Sequence, residues 1–262
     1  MKPNCVSATA ELSATSAQAL AAVLEFVAAH DPRRIIVGEG SAEDTRCAFA
    51  NFGYARVAEQ FAVELVDLNQ DQTIPAVVYD RRGRPHSVPV ARTALESVRV
   101  SLTRPKTHDT VIVTAGLKNL AVGAITRPHK VEIHQGYAAI NVNLALLAGQ
   151  LFPHLSVIDG FVGMEGAGPT SGDPVDHRMA LAGCDPVAVD AVCAHLMGFD
   201  PRQVGYLVHA ARLGVGVGDL GRVEVIGGQL EQARRGYRPH PTYREQLRWR
   251  PPQQLAQAAG LV

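Results

Sequence analysis

Short apolar runs of strand length recur between Ala- and Leu-rich stretches of helical period, and this alternation excludes all-helical and all-strand folds. The runs are Arg33–Val37, Val63–Leu68, Val98–Leu102, Leu155–Asp159, Met179–Gly183 and Arg222–Ile226, bounded by Gly, Pro and Asp. Between them, Leu12, Leu20, Val23, Leu24 and Val27 follow a Ser/Thr-rich opening, and a polar start at Ser41–Asp44 leads a helix through Asn51. Ile140, Leu144, Leu147 and Leu151 mark a helix over Tyr137–Leu151, Asp185-Pro186 opens another, and Gln203–Leu213 is a third. The pattern predicts an α/β fold, a mostly parallel sheet flanked by helices. Residues 71–97 hold two strands about the turn Arg81–Pro85, an inserted hairpin. The early order of helix then strand is half of a βαβ unit, and its first strand would precede Lys2. Residues 1–228 read as a single α/β domain, with a division into two lobes near 150 left open. Residues 229–262, rich in Arg and Pro, read as an irregular C-terminal extension facing solvent or a partner. Thr110–Leu120 fits strand or helix equally well.

Composition narrows the partners. A formal net charge of zero and 5% aromatic residues supply neither the basic field nor the stacking surface of a nucleic-acid binder, which leaves a small anionic metabolite as the expected ligand. Cys5, Cys47, Cys184 and Cys193 contain no C-x-x-C and no metal-cluster spacing, so no iron–sulfur cluster is expected. Glu11, Gln18 and Glu25 interrupt the Ala-rich residues 6–29, which argues against a membrane partner or a leader and for a reducing cytoplasm. A homo-oligomer is left open.

The basic residues are unevenly written. Of 25 Lys and Arg residues, four are lysines, and Lys106, Lys118 and Lys130 fall within Arg104–Gly136. Arginine keeps its charge everywhere, whereas a desolvated lysine loses its proton and becomes a base or nucleophile. His108, His129 and His134 share the segment, and Lys106 and His108 follow the Val98–Leu102 strand, where open α/β sheets place ligands. His108, Lys118 and Lys106 are therefore the candidate catalytic residues, Lys118 and Asn119 the candidate cofactor contacts, and His129 and Lys130 read as mobile loop residues.

Other features carry weaker signals. Gly38-Glu39-Gly40 is a poor phosphate cradle, because Glu39, Glu43 and Asp44 repel the anion that a helix N-terminus attracts. The loop Phe161–Gly172 offers free amides at Gly166 and Gly168 and hydroxyls at Thr170 and Ser171, which suit an anion nest or a tight structural loop. His134 with Asp159 and Glu165 is the candidate set for a divalent metal. Asp190 lies on the apolar face of a helix and calls for a His or Lys partner.

Five motifs in order, Pro105–His108, Gly116–Asn119, Val157–Gly160, Met164–Thr170 and Asp185–Asp190 followed by Leu196–Phe199, resemble the uncharacterised prokaryotic family catalogued as domain of unknown function 362. The resemblance runs from about Lys2 to Gly227 and implies no substrate. The spacing of His108, Lys118 and His134 is also similar to that of nickel-pincer lactate racemases. That similarity implies acid/base chemistry at His108, an anchoring role for Lys118 and a ligand role for His134; what it transfers is the site rather than the cofactor. The expected function is an enzyme acting on a small carboxylate or hydroxy acid by acid/base proton or hydride transfer, isomerase-like or oxidoreductase-like. The alternative is a non-catalytic metal- or anion-binding accessory module.

Overall fold

The computed structural model describes residues 1–262. Its β-strands are β1 (Ile36–Glu39), β2 (Glu64–Asp67), β3 (Thr73–Tyr79), β4 (Pro85–Ala91), β5 (Val100–Thr103), β6 (Lys106–His108), β7 (Ile112–Thr114), β8 (Leu155–Glu165) and β9 (Asp173–Gly183). The chief helices are α1 (Ala17–Ala28), α2 (Thr45–Asn51), α3 (Tyr54–Phe61), α4 (Arg92–Glu96), α5 (Gly116–Gly123), α6 (Tyr137–Leu151), α7 (Pro186–Leu196) and α8 (Gly205–Arg212). β1 pairs in parallel with β2, and β5 in parallel with β8. β8 is long enough to take β5 along its first half and to meet β6 at Met164, while β9 runs antiparallel along its other edge.

Residues 1–3 join these pieces, which corrects the expectation of a strand missing before Lys2. Gly38 donates its amide to Met1 O (2.9 Å), Lys2 donates to Val100 O (2.7 Å) and Leu102 donates to Lys2 O (2.9 Å). Lys2 bridges Ser101 in parallel, so the first strand is present as a stub between β1 and β5. The first βαβ unit is thereby complete, with α1 as its crossover.

Capping explains several helix starts. Ser16 accepts from Ala19 N at the head of α1, and Asp44 accepts from Cys47 N at α2. Asp185, followed by Pro186 at the first helical position, accepts from Val187 N and Ala188 N at α7. Leu20 and Leu24 of α1 pack with Phe49, Tyr54 and Leu102 in one cluster. A larger cluster buries α5, α6 and α7 with the β3–β4 hairpin. α6 is buried nearly all round, so its two interior asparagines are fully partnered. Asn143 exchanges two bonds with the Tyr79 backbone, and Asn141 accepts from Tyr206 N (2.7 Å).

Two expected strands change. The Leu155–Asp159 strand continues to Glu165 and pairs with a β9 that begins at Asp173, so the glycine loop is the tip of a long hairpin. Arg222–Ile226 pairs with nothing as a strand; Leu220–Arg222 is a 3-10 turn held by the Asp219 side chain. The uncertain Thr110–Leu120 stretch divides into β7 and α5, after a tight β6–β7 turn that puts Ile112 at φ 68°. Beyond residue 228, short helices over Leu230–Ala233, Tyr243–Gln246 and Gln253–Ala258 lie back against the domain and bury Tyr237, Trp249 and Leu255.

Candidate functional site

The four lysines of the chain lie close together, Lys2, Lys106 and Lys118 buried and Lys130 half-buried; Lys2, Lys118 and Lys130 line one cavity of about 280 Å³, with Lys106 directly behind it. The cavity opens at the carboxyl ends of the parallel strands, between Glu39–Gly40 after β1, Asn4 after the first stub, and the β6–β7–α5 segment. His108, Asp109, Lys118, Asn119 and His134 line it with Lys2, Lys130 and Pro169.

Each lysine reaches this region by a different route. Lys2 pairs with Glu39 at 2.8 Å, both side chains nearly inaccessible, and donates to Asn119 Oδ1 (2.8 Å). Glu39 also accepts from Cys5 N (2.7 Å) and Gly40 N (2.8 Å), so a carboxylate that would repel an anion is neutralised and held in the wall. Gly123 lies opposite it, and a methyl there would meet the outer end of the Lys2 side chain and make it shift. Lys130 donates to the Val122 (2.9 Å), Gly123 (3.3 Å) and Ile125 carbonyls, closing the carboxyl end of α5. Burial pushes its pKa down to about 7. Lys130 is thus a fixed element of the site, contrary to its reading as a mobile loop residue. His129, paired with Glu132 at 2.6 Å, stays at the surface.

Lys118 stands in the first turn of α5, whose start is built from afar. Asp190 of α7 accepts from Gly116 N (2.8 Å), Leu117 N (3.1 Å) and the Tyr206 hydroxyl (3.1 Å). The buried acid therefore finds two helix amides and a phenol, not the expected His or Lys, and burial raises its pKa to about 7. The Lys118 ammonium makes no hydrogen bond and no ion pair. Burial lowers its pKa to about 8, against the pull of Asp109 and with added repulsion from Lys2.

His108 is held from both sides. Its carbonyl accepts from Gln246 Nε2 (2.7 Å), and Gln246 Oε1 accepts the amide of Ile112, fixing the strained turn beneath. Its Nδ1 lies 2.8 Å from Asp109 Oδ1 and 3.0 Å from the Thr110 hydroxyl. The Thr110 amide is directed at the same nitrogen (3.1 Å), so Nδ1 serves either as a donor to Asp109 or as the acceptor of the Thr110 amide. Burial and the Lys118 charge lower the His108 pKa to about 3, with Asp109 opposing. The ring is therefore neutral near pH 7 and free to accept a proton, as a weak base until a bound anion offsets the Lys118 charge. His134 sits at the rim with its Nδ1 on Lys130 O (2.9 Å), its pKa lowered by burial and then by Lys118.

Several expected site residues lie elsewhere. Lys106 is fully buried and committed to Asn4 Oδ1 and Ser13 O (2.7 Å), so it braces the wall and does not face the cavity. Asn119 lines the cavity, but its amide is occupied by Lys2, Asn4 and Ser101. The two glycine amides expected to form an anion nest are already used. Gly166 N donates to Arg238 O (2.8 Å) and Gly168 N to Gly166 O (2.8 Å), while Thr170 and Ser171 are exposed and contact one another. Of this loop only Pro169 reaches the cavity. The metal set of His134, Asp159 and Glu165 is separated: Asp159 accepts from Ser16 Oγ (3.0 Å), and Glu165 accepts from Arg238 N (2.8 Å). No three His, Cys, Asp or Glu side chains are grouped to hold a metal ion.

Lys2, Asn4, Glu39, Asp109 and Gln246 escaped the reading from sequence. The scarcity of lysine was a usable signal for Lys2 and Lys130, since the same rarity marks all four. Nothing in the local sequence marks Gln246, which reaches His108 from more than a hundred residues away.

The fold and cavity define an α/β protein with a lysine-rich site at the carboxyl ends of its parallel strands. The chain belongs to the family described as Domain of unknown function (DUF362), whose model matches residues 1–195. It is similar to the Thylakoid-associated protein sll1697 of Synechocystis sp. (strain ATCC 27184 / PCC 6803 / Kazusa), at 31% identity over 123 residues. That match covers 45% of this chain and 38% of the relative, so the chain spans well under half of that protein. No solved structure matches the chain. No helix is long and apolar enough to cross a membrane.

Proposed function

We propose that the chain is an enzyme that binds a small carboxylate or hydroxy acid and moves a proton with His108 as the base. The observation that carries this reading is the His108–Asp109 pair, 2.8 Å apart, lining a cavity whose other ionisable walls are mainly Lys2, Lys118, Lys130 and His134. Asp109 orients the imidazole and stabilises its charge after proton capture, as an orienting carboxylate does in acid/base sites. Lys118 faces the substrate, and Lys130, bonded only to carbonyls, leaves positive charge to attract an anion. With no grouped metal ligands, this mechanism routes no step through a metal. We place the reaction in a reducing cytoplasm, a reading supported by four free cysteines, of which Cys47 and Cys184 are exposed.

The test is hydrogen exchange at the carbon next to the carboxylate, followed by NMR in deuterated buffer across a panel of small hydroxy and keto acids. Exchange of at least one acid is expected, falling about 100-fold or more in His108→Asn. Binding without exchange in the native protein would leave the anion-binding module as the better account. Neither binding nor exchange would remove both.

A further inference from the structure

The four lysines differ in what holds their ammonium groups. Lys2 has Glu39 (2.8 Å), Asn119 Oδ1 (2.8 Å) and Pro3 O (2.9 Å). Lys106 has Asn4 Oδ1 and Ser13 O, and Lys130 has the three carbonyls at the end of α5. Lys118 alone has no acceptor, although the residue is buried and lines the cavity beside His108. A buried ammonium without a partner is costly, so this position favours the neutral amine. Its place in the first turn of α5 adds to that preference, because the positive end of the helix repels a cation there.

We propose that Lys118 is a nucleophile that forms an imine with the carbonyl carbon of a small keto acid. The inference rests on the function proposed above and narrows its substrate class to carboxylates bearing an adjacent carbonyl. The Lys118 Nζ lone pair adds to the carbonyl carbon, forming the C–N bond as the π pair moves to oxygen. His108 relays a proton from the attacking nitrogen to the new oxyanion, giving the carbinolamine. A second proton, from solvent, reaches the hydroxyl; water leaves as the nitrogen lone pair forms the C=N bond of the iminium, with no net oxidation or reduction. The iminium then draws electrons from the neighbouring carbon, whose proton His108 is placed to remove. Burial holds the Lys118 pKa near 8, so much of the amine is neutral in mildly alkaline solution.

The full chain is incubated with sodium pyruvate, treated with borohydride, and read by intact mass and peptide mapping. One reduced adduct per chain is expected on Lys118, absent from Lys118→Arg and retained in a Lys106→Arg variant whose circular dichroism matches the native protein. Labelling should rise with pH through about 8, well below the ordinary lysine range. No adduct, an adduct surviving in Lys118→Arg, or labelling shared evenly among lysines would each overturn the imine. Exchange in deuterated buffer separates the two readings. His108-dependent exchange without an adduct leaves the acid/base function standing and removes the imine. An adduct on Lys118 without exchange supports the imine and removes the proton-transfer role of His108.

Discussion

Gly123 shows how much of this site depends on a single absent methyl. The Lys2 side chain crosses directly over its α-carbon on the way to Glu39, so any side chain at position 123 displaces the ammonium. Gly123→Ala should push the outer end of the Lys2 side chain aside and loosen its pair with Glu39, a loss of about 1–3 kcal/mol. Gly149→Ala, on α6 with open space around it, is the control and should be neutral or slightly stabilising. The comparison is made by urea denaturation; equal midpoints for the two variants would refute the packing of Lys2 over Gly123. At this scale the residue types were legible and their partners were not. The rarity of lysine pointed to chemistry, but Lys106 and Lys130 proved to be bonded into the wall while Lys118 was left free. Which lysine is free depends on the carbonyls and amides around each one, and those come from distant parts of the chain.

Among the elements, α5 matters most. It is short, carries Lys118 and Asn119, and has no capping side chain of its own at Ala115. Asp190 of α7 supplies the cap instead, so α5 and α7 are held in one register by a buried carboxylate. Asp190→Ala should strand the Gly116 and Leu117 amides, costing about 1–3 kcal/mol for each unsatisfied donor. Asp190→Asn keeps one acceptor oxygen and should fall between the two. Amide exchange at Gly116 and Leu117 would report the loss directly, and unchanged protection in Asp190→Ala would show that the cap is not needed. The strand periods, the hairpin and the α6 boundaries could be read in advance because each rests on local pattern. The glycine loop could not, because its composition suits an anion nest and a hairpin tip equally. Pairing of β8 with β9 made the loop a hairpin tip, and the Gly166 and Gly168 amides went to the Arg238 and Gly166 carbonyls.

The whole molecule carries an unusual load of buried bases, and this sets its pH response. Lys106 and Lys130 are held at about 7 and Lys118 at about 8, against 10.5 for an unfolded lysine. The amino terminus is likewise held at about 6 against 8.0. Between the folded and unfolded values the unfolded chain binds more protons, so stability rises with pH across that window. Above about 9 the trend is opposed, because the Cys5 thiol is raised to about 12 from 9.0 and its proton is then held only by the folded state. The thermal midpoint should therefore climb from pH 7 to 9, and Lys106→Met should climb less. Differential scanning calorimetry at pH 7, 8 and 9 checks this, and a flat or falling midpoint would contradict the burial of these ammonium groups.

Periodicity, turn residues and composition were enough to establish an α/β chain, to locate most of its helices and strands, and to single out Arg104–Gly136 as chemically distinct. Those properties are local, since side-chain period and turn chemistry act over a few residues. The stub strand at Lys2, the Asp190 cap, the Gln246 brace beneath His108 and the solitary state of Lys118 all join positions remote in the chain. They exist only once the core has closed, because burial forces each polar group to find whichever partner the packing brings near, or to go without one.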